Sequence, residues 1–215
     1  MKQKIYLLLP LLSLVFAQNA SAFCDSTNTR VYITTNPGNV KYITTRSKHD
    51  FIHSVSQPVS PNTLGLTVSH MNIKGEATPN VEVQGNQMCV SLGTLNLRME
   101  NDELTVYIDK KYKPSSCEYK VIKAHENYHV AVAQQAMTFF KPDVEAQVQK
   151  ALKKVKPQIV SNAAERDKAL KDQFTQVMND LKPVINHINQ TTAKKNYQID
   201  TPESYAKTRA MCKNW

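Results

Sequence analysis

The sequence predicts an α+β fold, with antiparallel strands in its first half and long helices in its second half. Between Arg30 and about Tyr112, short runs rich in Val, Ile, Thr and Tyr alternate with Pro, Gly and Asn, a composition typical of strands and turns. After Tyr112, apolar residues recur every three or four positions, which indicates amphipathic helices. We therefore expect a leader segment at 1–22, followed by a β-rich part at 23–112 and a helical part at 113–215 that form one domain.

The leader segment has the features of a cleaved signal peptide. Lys2 and Lys4 precede an apolar run from Ile5 to Phe16, and residues 20–22 match the small-x-small cleavage pattern. No later segment approaches the roughly 20 consecutive apolar residues of a membrane-spanning helix. The prediction is cleavage after Ala22 and a periplasmic or secreted mature protein without a transmembrane anchor.

All the cysteines follow the predicted cleavage site, at Cys24, Cys89, Cys117 and Cys212. An even number of cysteines in an oxidising compartment predicts two disulfides, and four cysteines allow three pairings, which the sequence leaves open. A bridge between Cys117 and Cys212 would tie the C-terminal tail to the helix that follows Cys117.

The formal net charge of +9 favours anionic partners, such as cell-wall polymers or lipid headgroups. The lysines form scattered pairs, such as Lys110-Lys111 and Lys153-Lys154, rather than a dense basic tract with interleaved aromatic residues. We therefore interpret them as a solvated surface and predict no nucleic-acid binding.

Within the β-rich part, the sequence predicts a hairpin followed by several short strands. Residues 31–35 and 41–45 are near copies separated by a Pro-Gly turn signal, which predicts that they pair with each other. Further strands are predicted at 66–73, 81–83, 88–99 and 104–108, with a turn at 101–102. The segment 103–108 is either an edge strand that pairs with an extended substrate or an ordinary core strand.

The helical part is predicted to contain an N-terminal helix, a long helical hairpin and a last short helix. Ser115 and Glu118 have the S-x-x-E spacing of a capping box at the start of the first helix, and Pro142 ends it. Residues 143–189 form the hairpin, broken or kinked near Pro157 and Pro183. The last helix begins at 201–203, where Thr caps, Pro takes the first turn and Glu favours the positive end of the helix dipole.

The first of these helices carries an H-E-x-x-H motif at residues 125–129. Positions i and i+4 share one helix face, so His125 and His129 can bind one metal ion, with Glu126 beside the position of a reactive water. This is the arrangement of zincin metallopeptidases, so the motif predicts a zincin-like fold and a Zn²⁺ cofactor. The alternative is a helix with two buried histidines satisfied by hydrogen bonds, which would carry a high desolvation cost.

The third zinc ligand does not follow the motif closely, because residues 130–140 contain no His, Asp or Glu. A catalytic zinc usually has three protein ligands. We rank Glu203 first, since the long helical return could bring the last helix back to the motif, then Asp200, then His187. His49 and His53 are also four residues apart, but no glutamate follows His49 and their segment is predicted as a loop.

Residues 116–129, with a cysteine shortly before the motif and a signal peptide upstream, resemble the bacterial family of predicted secreted zinc-dependent proteases. The resemblance covers the second half of the chain well and the first half in outline. It implies that His125 and His129 bind zinc and that Glu126 is the catalytic glutamate. In that family a downstream segment reads Tyr-Asp-x-x-Thr-x-His-Gly. Here residues 199–205 keep Asp200 but lack the His-Gly, so Glu203, Tyr205 or another residue would replace that histidine.

These features predict an exported zinc metallopeptidase, a hydrolase that cleaves protein or peptide substrates in the cell envelope or outside the cell. Cell-wall peptides are one candidate substrate. Glu126 would accept a proton from the attacking water and pass it to the leaving nitrogen. The alternative is a non-catalytic exported protein whose helical hairpin binds a partner, with a structural metal or none.

Overall fold

The computed structural model of the chain describes residues 23–24, 28–55, 59, 62–213 and 215. The predicted signal peptide and its cleavage site lie outside these residues. Within the part of the chain that the structure describes, no helix combines the length and the apolar character needed to cross a membrane. The elements in chain order are β1 (Arg30–Asn36), β2 (Lys41–Ile43), α1 (Lys48–Ile52), β3 (Gly65–Gln84), β4 (Gln87–Ile108), α2 (Cys117–Phe139), α3 (Lys141–Leu152), β5 (Gln158–Val160), α4 (Ala163–Ile199) and α5 (Pro202–Ala210).

A mixed sheet of five strands forms one layer of the fold. β3 and β4 make a long antiparallel hairpin, whose turn contains Gly85 at φ +59°. β1 and β2 pair with the other edge of β4 and run parallel to it, and β5 pairs there in the antiparallel direction. The predicted zincin-like fold class is therefore wrong. The strands are not an antiparallel N-terminal set, because two run parallel to their neighbour and one comes after α2 and α3.

The predicted hairpin between the two near-copy segments is also wrong. β1 and β2 lie end to end along β4 in one register, with Asn36 opposite Glu100 and Lys41 opposite Thr105. Gly38 between them has φ +79°, and its N–H donates to Asn36 Oδ1 (3.1 Å) without reversing the chain. A two-stranded hairpin is only marginally stable in water, whereas the edge of the 22-residue strand β4 gives both segments a partner within a larger sheet.

Two β-bulges in β4 keep its apolar side chains on the sheet face that packs against the helices. The register against β3 skips one residue at Gly93 and one at Asp102, and each skip reverses the alternation of side chains. The turn predicted at 101–102 is therefore a bulge. The segment 103–108 is a core strand, since 105–107 pair with β2 on one side and β3 on the other. The β4 residues that belong to the hydrophobic core clusters accordingly change from even to odd positions and back: Val90, Leu92, Leu95, Leu97, Met99, Leu104, Val106 and Ile108.

The helices α2, α3 and α4 pack against that face of the sheet. α2 begins after Ser116, whose Oγ accepts from the Tyr119 N–H (3.1 Å), one residue later than the predicted cap. α4 continues through Pro183 for 37 residues, so of the break or kink predicted there the structure excludes the break. Near Pro157 the chain leaves α3 and enters β5, which interrupts the predicted helical hairpin. α5 begins after the N-cap Thr201, as predicted.

α4 runs antiparallel to α2 and ends beside its first half. The Phe140 ring, at the end of α2, contacts the His187 ring near the middle of α4, with centroids 6.1 Å apart. Farther along, the Asn189 side chain bonds the outer edge of β3. Its Nδ2 donates to the Met71 carbonyl (2.9 Å), and its Oδ1 accepts from the Met71 N–H (3.0 Å). A helix of 37 residues is about 55 Å long, which is enough to return the chain from the far end of the sheet to the motif.

Two disulfides are present, as the cysteine count predicted: Cys24–Cys89 and Cys117–Cys212. The first ties the segment before β1 to the start of β4. The second ties the first residue of α2 to the segment after α5. The sequence left the pairing open. The observed bridges tie the N-terminal segment of the described chain to the sheet and the C-terminal segment to α2. The two disulfides are compatible with an exported protein.

Candidate metal centre

Three side chains from two distant parts of the chain meet where α2 faces the end of α4. His125 Nε2 and His129 Nε2 each lie 3.0 Å from Asp200 Oδ1, and the two nitrogens lie 3.3 Å from each other. His125 is 6 % exposed and His129 is 4 % exposed, while Asp200 is half-buried. Among the described residues, these three form the group of His, Cys, Asp and Glu side chains whose ligand atoms could hold one metal ion.

The local structure explains why these side chains converge. His125 and His129 lie one turn apart on the inner face of α2. Asp200 is the C-cap residue of α4, with φ −86° and ψ 50°, and the next residue, Thr201, is the N-cap of α5. The chain therefore leaves α4 at Asp200, and the Asp200 carboxylate faces the histidines of α2.

Tyr205 of α5 fixes the carboxylate in this position. Its hydroxyl donates to Asp200 Oδ1 (2.7 Å), and its ring lies 5.2 Å from the His125 ring. Tyr205 is 1 % exposed, and its hydroxyl is also 3.4 Å from Thr63 Oγ1. Asp200 Oδ1 thus has three close polar neighbours, although a carboxylate oxygen has only two lone pairs.

The contact of His129 with Asn196 indicates which nitrogen carries the proton. His129 Nδ1 lies 3.3 Å from Asn196 Oδ1, which can only accept a hydrogen bond. A neutral imidazole has a single N–H, so donation from Nδ1 leaves a lone pair on Nε2, facing the carboxylate of Asp200. Two acceptors 3.0 Å apart repel each other unless a proton or a metal cation lies between them. Metal-binding histidines commonly have this outer hydrogen bond on the second nitrogen.

Without a metal, a proton on His129 Nε2 would take the place of that cation. Burial opposes the charged form of His129, but the hydrogen bond to Asp200 and the charge of Glu126 outweigh it and raise the pKa of this imidazole. Burial opposes the charged form of Asp200 as well, yet hydrogen bonds from His125 and His129 hold the pKa of its carboxyl well below the usual range. Both shifts indicate a site that favours a cation beside a carboxylate.

The distances and the donor types fit a divalent transition-metal ion. Ligand atoms held about 2.0–2.2 Å from a tetrahedral ion lie roughly 3.3–3.6 Å apart. The three atoms here are 3.0 to 3.3 Å apart, so they would need to move outward by only a few tenths of an ångström. Two imidazole nitrogens and one carboxylate oxygen suit zinc and also its neighbours in the transition series. These residues therefore fit a metal ion, but their three donor atoms do not determine which metal it is.

Glu126 lies beside the cluster but turns its carboxylate toward β3. Thr67 Oγ1 donates to Glu126 Oε2 (2.7 Å), and Glu126 is 1 % exposed. The carboxylate is packed so closely on Gly65 that a Cβ added there would lie 2.7 Å from Glu126 Oε1. Burial raises the pKa of the Glu126 carboxyl, and the opposing effects of His129 and Thr67 do not cancel that increase.

The structure brings together part of the predicted ligand set. His125, His129 and Glu126 lie at one place on α2, and Asp200, ranked second, completes the cluster. Glu203, ranked first, lies outside the cluster and is exposed in the first turn of α5. His187 is exposed on α4 and contacts the Phe140 ring.

The second histidine pair lies away from the cluster. His49 and His53 are at α1, a short helix and not the predicted loop, where their rings lie 4.5 Å apart. The residues that sequence reasoning missed are Gly65, Thr67 and Asn196. Gly65 and Thr67 are separated from Glu126 by about 60 residues of chain. None of the three residues belongs to a sequence motif that predicts a metal site.

Comparison of the chain with protein-family models, with curated proteins and with solved structures finds no match.

Proposed function

We propose that this protein is an exported zinc-dependent hydrolase of peptide bonds. The observation that carries the proposal is the convergence of His125, His129 and Asp200 within 3.3 Å of one another, with the buried carboxylate of Glu126 one residue away. The choice of peptide bonds comes from the order of residues in the motif, because a glutamate directly after the first histidine serves as the base of metallopeptidases. The disulfides support export.

In this proposal His125, His129 and Asp200 hold the ion. Zinc at this position would supply a lowered pKa for water, toward about 7, and polarisation of a substrate carbonyl. Glu126 accepts the proton that the attacking water loses and passes it to the leaving nitrogen. Thr67 and Gly65 hold the Glu126 carboxylate in place, and Tyr205 keeps Asp200 charged and oriented through its hydrogen bond.

The first test separates binding from chemistry. We expect Glu126→Gln to keep the fold and the bound zinc but to lose at least about a hundredfold in hydrolysis, since the amide cannot accept the proton. The measurement is cleavage of a fluorescently labelled unfolded protein and of purified cell-wall peptides by the mature, disulfide-bonded protein, with zinc content determined on the same samples. Undiminished cleavage by this variant would contradict the role of Glu126.

The second test asks which carboxylate binds the metal. We expect about one zinc per chain in the unaltered protein, much weaker zinc binding in Asp200→Asn, and unchanged binding in Glu203→Gln. Glu203 is a matched control, since it is an acidic residue only three positions away and is exposed. The measurement is zinc affinity by competition with a chelator. Loss of zinc in Glu203→Gln but not in Asp200→Asn would refute the ligand set.

A second candidate function is a non-catalytic protein with a structural metal. The burial of the site favours it, because His125, His129 and Glu126 are 6 %, 4 % and 1 % exposed. Cobalt substitution distinguishes the two functions. A catalytic site keeps an open position, so its cobalt absorption spectrum should change on addition of a hydroxamate, whereas a closed structural site should give the same spectrum with and without it.

A further inference from the structure

A cavity of about 260 Å³ opens between α1, the end of β4, α5 and Trp215. Three basic side chains, Lys48, Lys111 and Arg209, line it, with Asp109 as the acidic member of the lining. These residues come from three separate parts of the chain, at α1, after β4 and in α5, so the fold brings basic side chains together at one place.

Both carboxylate oxygens of Asp109 accept hydrogen bonds from backbone N–H groups. Its Oδ2 accepts from the Lys48 N–H (3.1 Å), and its Oδ1 accepts from the Lys111 N–H (3.0 Å). Asp109 is 7 % exposed, so these bonds account for both oxygens of a buried group. The side chains that line the cavity thus comprise three basic groups and one acidic group.

The basic side chains are close enough to affect one another. Burial lowers the pKa of the Lys48 ammonium, and the charges of Lys111 and Arg209 lower it further. Across the described residues, neither Lys111 nor Arg209 lies within ion-pair distance of a carboxylate. Arg209 is nevertheless only partly exposed, and a half-buried guanidinium without a carboxylate favours an external anion.

We propose that this cavity binds a small oxyanion ligand, with a carboxylate or phosphate group held by Arg209 and Lys111 and an apolar part against Tyr112 and Trp215. The Tyr112 and Trp215 rings line the cavity with their centroids 5.9 Å apart. A volume of about 260 Å³ lies just below the range of drug-sized ligand sites, which limits the occupant to a small molecule or to one terminal group of a larger one.

The cavity shares a wall with the metal centre. Thr63 lines the cavity, and its Oγ1 lies 3.4 Å from the hydroxyl of Tyr205, which in turn donates to Asp200. Anion binding itself does not depend on hydrolysis, so it can be measured whatever the outcome of the activity assays.

The experiment is titration calorimetry on the disulfide-bonded protein at constant ionic strength, with inorganic phosphate, N-acetylphenylalanine and N-acetylphenylalanine amide as separate ligands. We expect saturable one-site binding of phosphate or of the free carboxylate, and none of the uncharged amide. Binding of phosphate without the carboxylate would identify a phosphate site, and the reverse would identify a carboxylate site. The absence of saturable binding for both anions would overturn the proposal.

Variants then locate the site. Arg209→Gln and Lys111→Gln should each weaken anion binding by about tenfold or more, as expected for loss of a charge-assisted hydrogen bond. Arg166→Gln on α4 removes the same charge from an exposed ion pair with Asp167, so it should leave the affinity unchanged. Equal affinities in all three variants would show that the anion binds elsewhere and would overturn the assignment.

Discussion

At the scale of the residue, the Glu126 carboxylate depends on a glycine and a threonine of β3. Gly65 leaves room for the carboxylate, and Thr67 donates a hydrogen bond to it. The proposed function makes Glu126 the base, and a base has to be placed within a few tenths of an ångström of its working position. Small changes in this packing should therefore affect the proposed hydrolysis more than the fold.

Gly65→Ala tests this dependence. The added Cβ would lie 2.7 Å from Glu126 Oε1 and 2.9 Å from Ile122 Cγ2, so the carboxylate has to move. We expect hydrolysis to fall by about tenfold to a hundredfold with zinc content unchanged, and stability to fall by about 1–3 kcal/mol from overpacking. The measurements are cleavage rate, zinc content and urea unfolding. An unchanged rate would mean that the position of Glu126 is not limiting.

The sequence predicts some residues of the site from local spacing and others only weakly. His125, Glu126 and His129 are separated by fixed helical steps, so their shared place follows from local geometry. Asp200 was named only as the second choice for the third ligand, because nothing local distinguishes it from Glu203. The distinction arises from the cap of α4, where the chain turns at Asp200 and leaves Glu203 in the exposed first turn of α5.

At the scale of the element, the bulges of β4 explain both a success and an error of sequence reasoning. The composition of 88–99 and the alternation of apolar residues at 104–108 correctly predicted strand structure. Gly93 and Asp102 interrupt that alternation, and an interruption in sequence cannot be told from a turn. The parallel pairing of β1 and β2 with β4 was also not predictable, because the partner residues lie more than 60 positions away.

The bulge at Asp102 gives a prediction that separates chain length from side-chain chemistry. Deletion of Asp102 would turn Leu104, Val106 and Ile108 away from the helices, so we expect this variant not to fold cooperatively. Asp102→Ala keeps the bulge and loses only the contacts with Asn72 and Lys74, which should cost about 1 kcal/mol or less. Urea unfolding followed by circular dichroism measures both. Similar midpoints for the two variants would contradict the role of the bulge.

At the scale of the whole molecule, the two disulfides should contribute differently to the site. Cys117–Cys212 joins the start of α2 to the end of α5, the two helices that carry His125 and Tyr205. Cys24–Cys89 joins the segment before β1 to β4, on the sheet. Both close long loops, so removal of either should destabilise the fold by about 3–5 kcal/mol.

Zinc affinity distinguishes the two bridges. We expect replacement of Cys117 and Cys212 by alanine to weaken zinc binding, because α5 is then free to move Tyr205 away from Asp200. Replacement of Cys24 and Cys89 should lower the unfolding midpoint and leave zinc affinity in the folded state unchanged. Chelator competition well below the unfolding temperature makes the comparison. Equal zinc affinities in the two double variants would show that the bridge near the site does not hold it together.

The contact between Asn189 and Met71 has a consequence for how copies of this protein meet one another in solution. β3 has a strand neighbour on one side only among the described residues, and the outer edge of a strand invites pairing with a second chain. The Asn189 amide occupies both backbone groups of Met71, as a neighbouring strand would. Farther along the same edge, Pro79 has no N–H to offer, and Lys74, Glu76 and Glu82 are charged and exposed. These features would oppose the pairing of β3 with a strand of another copy.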